Sequence, residues 1–363
     1  MFNIESFIEK RFTKVSLKKK VDKRGKINLA SNELLSDYFK TISTELDKNS
    51  QSPFEVNSYS YYPSIREKIS KLIEVNEENI EFFSGSDSAI FYLMTIISKK
   101  SDQIIIQYPN YENYFSYAKL NDITMIPWNM RTEGVSFYID DLFGLLSLHK
   151  DITVVIITNP NGFSGSSLTL DEIYSIADKL KSIGVMLIID LAYIGFSKKQ
   201  SVKEYFELCS IYENVVLVNT FSKNMGLAGE RFGYIYGSTE FIQYIRNWNG
   251  INSISNHTYY LVEKFLADNT ITNIVQKVQK NRDNLTHWVK NNTEYRVYES
   301  DANFILFQHE DTLKKQIFVD QFLNNGFVIR DLSNFDVLRN CTRVTVPESS
   351  EMLESIKKIL KGK

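Results

Sequence analysis

Short runs of aliphatic, β-branched residues alternate with longer amphipathic stretches through the first two thirds of this chain, and that alternation constrains its fold more than any other feature. Gln103–Gln107 (QIIIQ), Thr153–Ile157 (TVVII), Val185–Ile189 (VMLII), Val215–Val218 (VVLV) and Gly233–Tyr236 (GYIY) read as strands. They are apolar at consecutive positions, which implies burial on both faces, as in a mostly parallel sheet. Between them, Leu170–Ser182 gathers Ile173, Ile176, Ala177 and Leu180 on one helical face, and Asp87–Ser98 reads as a second helix. Strands and helices in alternation predict an α/β/α layer structure.

The pattern changes after about residue 249. A helical stretch from Asn256 to Lys290 precedes short strand-like segments at Asn303–Phe307, Phe327–Ile329 and Arg343–Val346, and a last helix at Ser350–Leu360. We therefore expect an arm and first helix over 1–45, a large domain over 46–250 and a smaller α+β domain over 251–363.

Composition narrows the function classes. A chain of 363 residues, 43% hydrophobic and 24% charged, is ordinary for a globular protein. A net charge of −2 argues against a nucleic-acid partner, and the Lys18–Lys20 run reads as a solvated arm. Two distant cysteines, Cys209 and Cys341, fit a reducing cytoplasm. The four scattered histidines offer no metal motif. The longest apolar runs are far too short to cross a bilayer, and the N-terminus lacks the apolar core of a signal peptide.

Three stretches carry chemistry. In VNTFSKNMGLAGERFGY, from Val218 to Tyr234, a strand ends in Thr-Phe-Ser-Lys before a glycine-rich turn and Arg231. A lysine at the end of a buried strand can form a Schiff base, with Ser222 and Arg231 facing a phosphate; an ordinary surface turn is the alternative. In LIIDLAYIGF, from Leu187 to Phe196, a strand ends in Asp190, and Tyr193 follows three residues on. A carboxylate there points into the crevice where α/β folds bind ligands, although it could also be a helix cap. In FFSGSDSAI, Gly85-Ser86-Asp87 opens a helix whose free amides suit an anion, or is simple capping. Further on, Arg330 and Arg343 stand thirteen residues apart. Planar guanidinium forks suit carboxylates and phosphates, or surface ion pairs.

Taken in order, GSDSAI, YPNY, NPNGFSG, DLAY, TFSKNMGLAGERFGY, ANFIL and IRDLSNFDVLRNCTRV resemble the fold-type-I enzymes dependent on pyridoxal 5′-phosphate. Within that group the likeness is to histidinol-phosphate aminotransferase and threonine-phosphate decarboxylase, and it runs from about Asn28 to the C-terminus. It implies a large α/β/α domain with a smaller C-terminal domain. Lys223 would hold the cofactor and shuttle a proton, Asp190 would pair with the ring nitrogen, and Tyr193 would reach the ring oxygen. Tyr111 would stack on the ring, and Ser86, Asp87, Ser222 and Arg231 would surround the phosphate. Tyr62 would reach the site of a neighbouring subunit in a homodimer. Arg343 would grip a substrate carboxylate and Arg330 a substrate phosphate, with Asn32 in the segment that closes over the substrate. The implied reaction is transfer of an amino group, with glutamate as donor, to a small phosphorylated keto compound. Decarboxylation of a phosphorylated amino acid would use the same residues, and a binding protein without catalysis is a third reading.

Two departures stand out. The family turn reads Asn-Pro-Asn-Asn-Pro-Thr-Gly; here it is Asn159-Pro160-Asn161-Gly162-Phe163-Ser164-Gly165, and Leu191 stands where a glutamate is usual. Gly162 replaces the asparagine that donates to the cofactor's ring oxygen. We expect water, Tyr193 or a shifted Asn161 to fill that place, with Asn161 kept among the cofactor ligands.

Overall fold

The computed structural model describes residues 23, 25–42, 62–96, 103–249 and 253–362. The Lys18–Lys20 run and both expected domain boundaries, at 45/46 and 250/251, lie outside those residues.

The large unit is built on a seven-stranded sheet. Its strands are β2 (Ile80–Ser84), β3 (Gln103–Tyr108), β4 (Thr124–Asn129), β5 (Ile152–Thr158), β6 (Met186–Asp190), β7 (Val215–Thr220) and β8 (Phe232–Tyr236), and their spatial order is β2-β8-β7-β6-β5-β3-β4. All neighbours from β4 to β7 are parallel, whereas β8 is antiparallel to both β7 and β2. Neither β2 nor β4 was among the strands expected from apolar runs. β4 carries Thr124, Pro127 and Asn129, and only Trp128 in it is buried.

Alternate residues of the central strands feed two cores. Ile105, Val155, Ile157, Leu187, Ile189 and Leu217 pack on one face against α5 (Leu170–Ser182). Ile104, Ile106, Val154, Ile156, Ile188 and Val216 pack on the other against α2 (Gly85–Ile96), introduced here with α1 (Tyr62–Leu72), α3 (Glu112–Leu120) and α4 (Ile139–Leu148). Burial of both faces is why these strands read as unbroken apolar runs. The start of α5 is set by a capping box between Thr169 and Glu172.

Beyond α6 (Val202–Ile211) and α7 (Thr239–Arg246), the expected single helix from Asn256 is two helices, α8 (Asn256–Leu266) and α9 (Asn269–Asn292). The break falls where Asp268 caps α9, accepting from the Thr270 amide at 2.8 Å. The smaller sheet has order β12-β13-β10-β9, from β9 (Arg296–Val297), β10 (Phe304–Gln308), β12 (Arg330–Asp331) and β13 (Cys341–Thr345). It packs with α10 (Thr312–Asn324) and α11 (Ser350–Leu360) around Phe307, Phe318, Phe322, Val344 and Ile356.

The N-terminal segment is part of this smaller unit. Its strand β1 (Ile27–Asn28) pairs in parallel with β11 (Phe327–Val328), and Leu29 lies in the smaller core. The strand expected at Phe327–Ile329 is β11, which serves the N-terminal segment, and β12, just beyond it, serves β13. This placement carries residues 30–32 across the carboxyl ends of the large sheet. Among the described residues no helix is long and apolar enough to cross a membrane.

Candidate active site

Strand β2 runs straight into α2, and the turn leaves the helix's first amides unpaired within the helix. Gly85 has φ +78°, and a Cβ on it would lie 2.5 Å from Arg231 Nη2. Only glycine lets the guanidinium come this close to the helix N-terminus. Arg231 itself has φ +52° and donates through Nη1 to Ser222 Oγ at 3.3 Å and to the Ala228 carbonyl at 3.1 Å. Ser222 also accepts from Thr220 Oγ1 at 2.9 Å. Ser222 and Arg231 therefore stand beside the first amides of α2, Gly85 and Ser86, and this candidate cradle has the donors and helix dipole that suit an anion.

Asp190 ends β6 in the same crevice. It is 5% exposed and accepts from Tyr114 Oη at 3.2 Å and from the Ala192 amide at 3.0 Å. Burial lifts its carboxyl to about 6, against the pull of those two bonds and of the Lys223 charge. Lys223 follows β7, and its Nζ donates to the Ser31 carbonyl at 2.9 Å while lying 5.9 Å from the Tyr193 ring centre. The Tyr193 ring stands edge-on to Phe304, with centroids 5.7 Å apart. Burial pushes the Tyr193 phenol up, but the charges of Lys223 and Arg343 and a bond from Asn32 outweigh it and hold the group below its usual range.

Arg330 and Arg343 are direct register partners in the antiparallel pair β12–β13. Arg343 is 7% exposed; it donates to the carbonyls of Gly162 and, at 2.9 Å, Ala30, and its buried Nε has no partner. Its guanidinium lies 4.9 Å from the Phe304 ring centre and 5.9 Å from that of Phe163. Among the described residues no carboxylate pairs with it. Burial, opposed by Tyr193 and assisted by Arg330, depresses its pKa to about 10. Burial likewise lowers Arg330, against the raising influence of Glu112, Asp331 and Tyr193. Two cations facing each other across a strand pair, one of them buried, call for an anionic ligand.

Asn32 reaches the site more directly than its sequence context implied. It is fully buried at φ +55°, and its Nδ2 donates to Tyr193 Oη at 3.0 Å. Three other candidates have side chains engaged within the chain. Asn161 turns its side chain into its own loop: Oδ1 accepts from the amides of Phe163 at 2.9 Å and Ser164 at 3.1 Å, and Nδ2 donates to Pro109 at 3.3 Å. The Asp87 carboxylate faces α3, where Asn113 and, at 3.2 Å, Tyr117 donate to its Oδ1. Tyr62 is 6% exposed in the chain's own core and donates to Glu81 Oε1 at 3.0 Å. That acceptor draws the hydroxyl toward the chain's own core. Tyr111, whose hydroxyl accepts from Asn113 at 3.1 Å, lies where the Arg231 charge reaches it, and burial raises its pKa.

A Cβ at Gly162 would lie 3.0 Å from Tyr193 Cε2, so the tyrosine ring itself has closed on the turn.

Sequence reasoning missed Tyr114 and the carbonyls of Ala30 and Ser31. Tyr114 falls three residues after Tyr111 on a helix, a spacing that could have linked the two. Backbone carbonyls leave no mark in a sequence.

Residues 24–359 match the family described as aminotransferase class I and II. The histidinol-phosphate aminotransferase of Christiangramia forsetii is 29% identical over 331 residues, 88% of this chain and 91% of that protein. The solved histidinol-phosphate aminotransferase of Clostridium acetobutylicum superposes with TM-score 0.79 at 21% identity, covering 93% of this chain and 98% of that one. The Sinorhizobium meliloti histidinol-phosphate aminotransferase, solved in complex with pyridoxal-5′-phosphate, superposes with TM-score 0.76 at 15% identity, covering 93% and 91%. At such identities the solved structures speak for a shared fold.

Proposed function

Because the chain belongs to the class I and II aminotransferases, we propose that it moves an amino group from an amino acid, with glutamate as donor, to a small phosphorylated keto compound. Pyridoxal 5′-phosphate is its cofactor, and when bound it supplies the electron sink for a bond broken at the substrate's α-carbon. The residues fit that group. Lys223 offers the amine that anchors it, and the Ser86, Ser222 and Arg231 cradle suits its phosphate. Asp190, with its carboxyl at about 6, is mostly ionised at pH 7 and suits a ring nitrogen that carries a proton. Once free of the cofactor, Lys223 Nζ is the group placed to carry a proton to and from the α-carbon.

The observation that carries the choice of substrate is the facing pair Arg330 and Arg343, with Arg343 buried and without a carboxylate among the described residues. Arg343 would take the α-carboxylate of each amino acid in turn, and Arg330 the phosphate of the acceptor. The reading includes a homodimer in the cytoplasm, which sedimentation of the purified protein would check.

The test is to mix the purified protein with glutamate and follow the cofactor's absorbance, then to offer matched ketones with and without phosphate. Wild type should convert its cofactor to the amine form and prefer the phosphorylated acceptor. Arg330→Gln should lose about 10²-fold of that preference and keep the glutamate half-reaction. Carbon dioxide release from a phosphorylated amino acid, without conversion by glutamate, would establish the decarboxylase reading instead. Purification without cofactor, with a Lys223→Ala variant spectrally identical, would end both.

A further inference from the structure

We propose that Asn32 is a positioning residue for Tyr193, and that its amide compensates for the asparagine absent at Gly162. The proposal rests on the cofactor reading above only for its consequence at the ring oxygen; the contact itself is a property of this chain.

No side chain of the turn supplies the missing donor. Gly162 has no side chain, its carbonyl accepts from Arg343, and the Asn161 amide is committed to its own loop and to Pro109. The Tyr193 hydroxyl belongs to the side chain that packs against the turn. It has one proton and two lone pairs, so the direction of that proton decides whether it can donate into the crevice. Asn32 Nδ2 donates to the oxygen at 3.0 Å and so turns the phenolic proton away from Asn32.

Asn32 is held in place on every side. Its Oδ1 accepts from Thr345 Oγ1 at 2.9 Å, its backbone N–H donates to the same hydroxyl at 3.2 Å, and its backbone carbonyl accepts from Asn303 Nδ2 at 3.1 Å. The left-handed backbone favours an asparagine over most side chains. The two preceding residues also reach the site: the Ala30 carbonyl accepts from Arg343 and the Ser31 carbonyl from Lys223. The charges acting on Tyr193 come from Lys223, Arg343, Arg330 and Asp190, on four different elements or loops. None of them supplies a donor aimed at the hydroxyl oxygen, so its orientation falls to Asn32.

The discriminating variant is Asn32→Asp. It keeps the shape, the tolerance of the left-handed backbone and the acceptor for Thr345, and it exchanges the donor facing Tyr193 for an acceptor. Because a buried carboxylate would raise Tyr193 by its charge as well, the uncharged Asn32→Gly is its control. In cofactor-free protein carrying 13Cζ-labelled tyrosine, with Tyr193→Phe to assign the signal, Tyr193 should titrate about one to two pH units higher in Asn32→Asp than in wild type. Asn32→Gly, which tolerates the backbone and removes the amide, should move it in the same direction. With pyridoxal phosphate bound, the pH midpoint of the cofactor's visible absorbance should also rise in both variants, because a weaker donor leaves more charge on the ring oxygen. Thermal melting confirms that each variant is folded. Unchanged titrations in a folded Asn32→Gly overturn the proposal, even if Asn32→Asp shifts them by its charge, as does a wild-type amide that accepts from Tyr193. Failure of wild type to bind pyridoxal phosphate would refute the cofactor reading alone, since the titration of cofactor-free protein still decides the role of Asn32.

Discussion

Replacing Arg343 by methionine should separate what this side chain does for the fold from what it does for the substrate. The guanidinium is buried without a carboxylate among the described residues, and its pKa is depressed to about 10. At 1.36 kcal/mol per pH unit, that depression corresponds to roughly 3 kcal/mol of unfavourable burial of the charge. The sign follows: a base whose folded pKa is lowered destabilises the folded state throughout the range below about pH 10, and the penalty fades only above it. Methionine removes the penalty and fills similar volume. It also removes two donors, those to the Gly162 and Ala30 carbonyls, at about 1 kcal/mol each. The cofactor-free variant should therefore be as stable as wild type or about 1 kcal/mol more stable. Catalysis should behave oppositely. A substrate carboxylate left without its buried partner costs about 3–5 kcal/mol, or two to three orders of magnitude in kcat/KM. The assay pairs thermal melting, with and without a dicarboxylate as substrate analogue, with steady-state kinetics. Wild type should gain stability from the dicarboxylate and the variant should not. A variant destabilised by more than about 2 kcal/mol with unchanged kcat/KM would show that Arg343 is a structural arginine and refute the reasoning.

Burial that lifts the Asp190 carboxyl to about 6 makes the group favour the cofactor-free fold when protonated; the benefit is complete below about pH 4 and is lost as pH rises through 6. Asp190→Asn should thus melt higher than wild type at pH 7 before cofactor is added, with the difference closing near pH 4, while its turnover falls by about 10–10²-fold for want of a charged partner; a wild type that melts higher at pH 7 would contradict this. At Gly162, an alanine Cβ would meet Tyr193 Cε2 at 3.0 Å with Phe304 behind the ring. Gly162→Ala should cost about 1–3 kcal/mol and shift the cofactor's absorbance titration upward, and wild-type values in both measurements would mean that the ring yields freely.

The chain's local pattern was enough to locate the chemistry along the sequence. Lys223 and Asp190 fall at the ends of strands that read as buried on both faces, and residues at those ends meet in one crevice whenever such strands lie parallel. Ser222, Arg231 and the start of α2 were legible for the same reason. Periodicity does not report strand direction, so the antiparallel β8 went unforeseen. It also does not report the direction of a side chain. Asn161 and Tyr62 sit in recognisable motifs, and only the structure shows that nearby amides engage the one and Glu81 the other.

The strand alternation, the ordered motifs and the loss of an asparagine at Gly162 are properties of the sequence alone, because each depends on neighbours a few residues apart. The tertiary structure decided what took that asparagine's place. The Tyr193 ring closes on Gly162, and the amide that orients its hydroxyl comes from Asn32, 161 positions away in the chain. Such a contact exists only because β1 pairs with β11 at the far end of the chain, and long-range pairing of that kind is set by the whole packed core and by no local pattern.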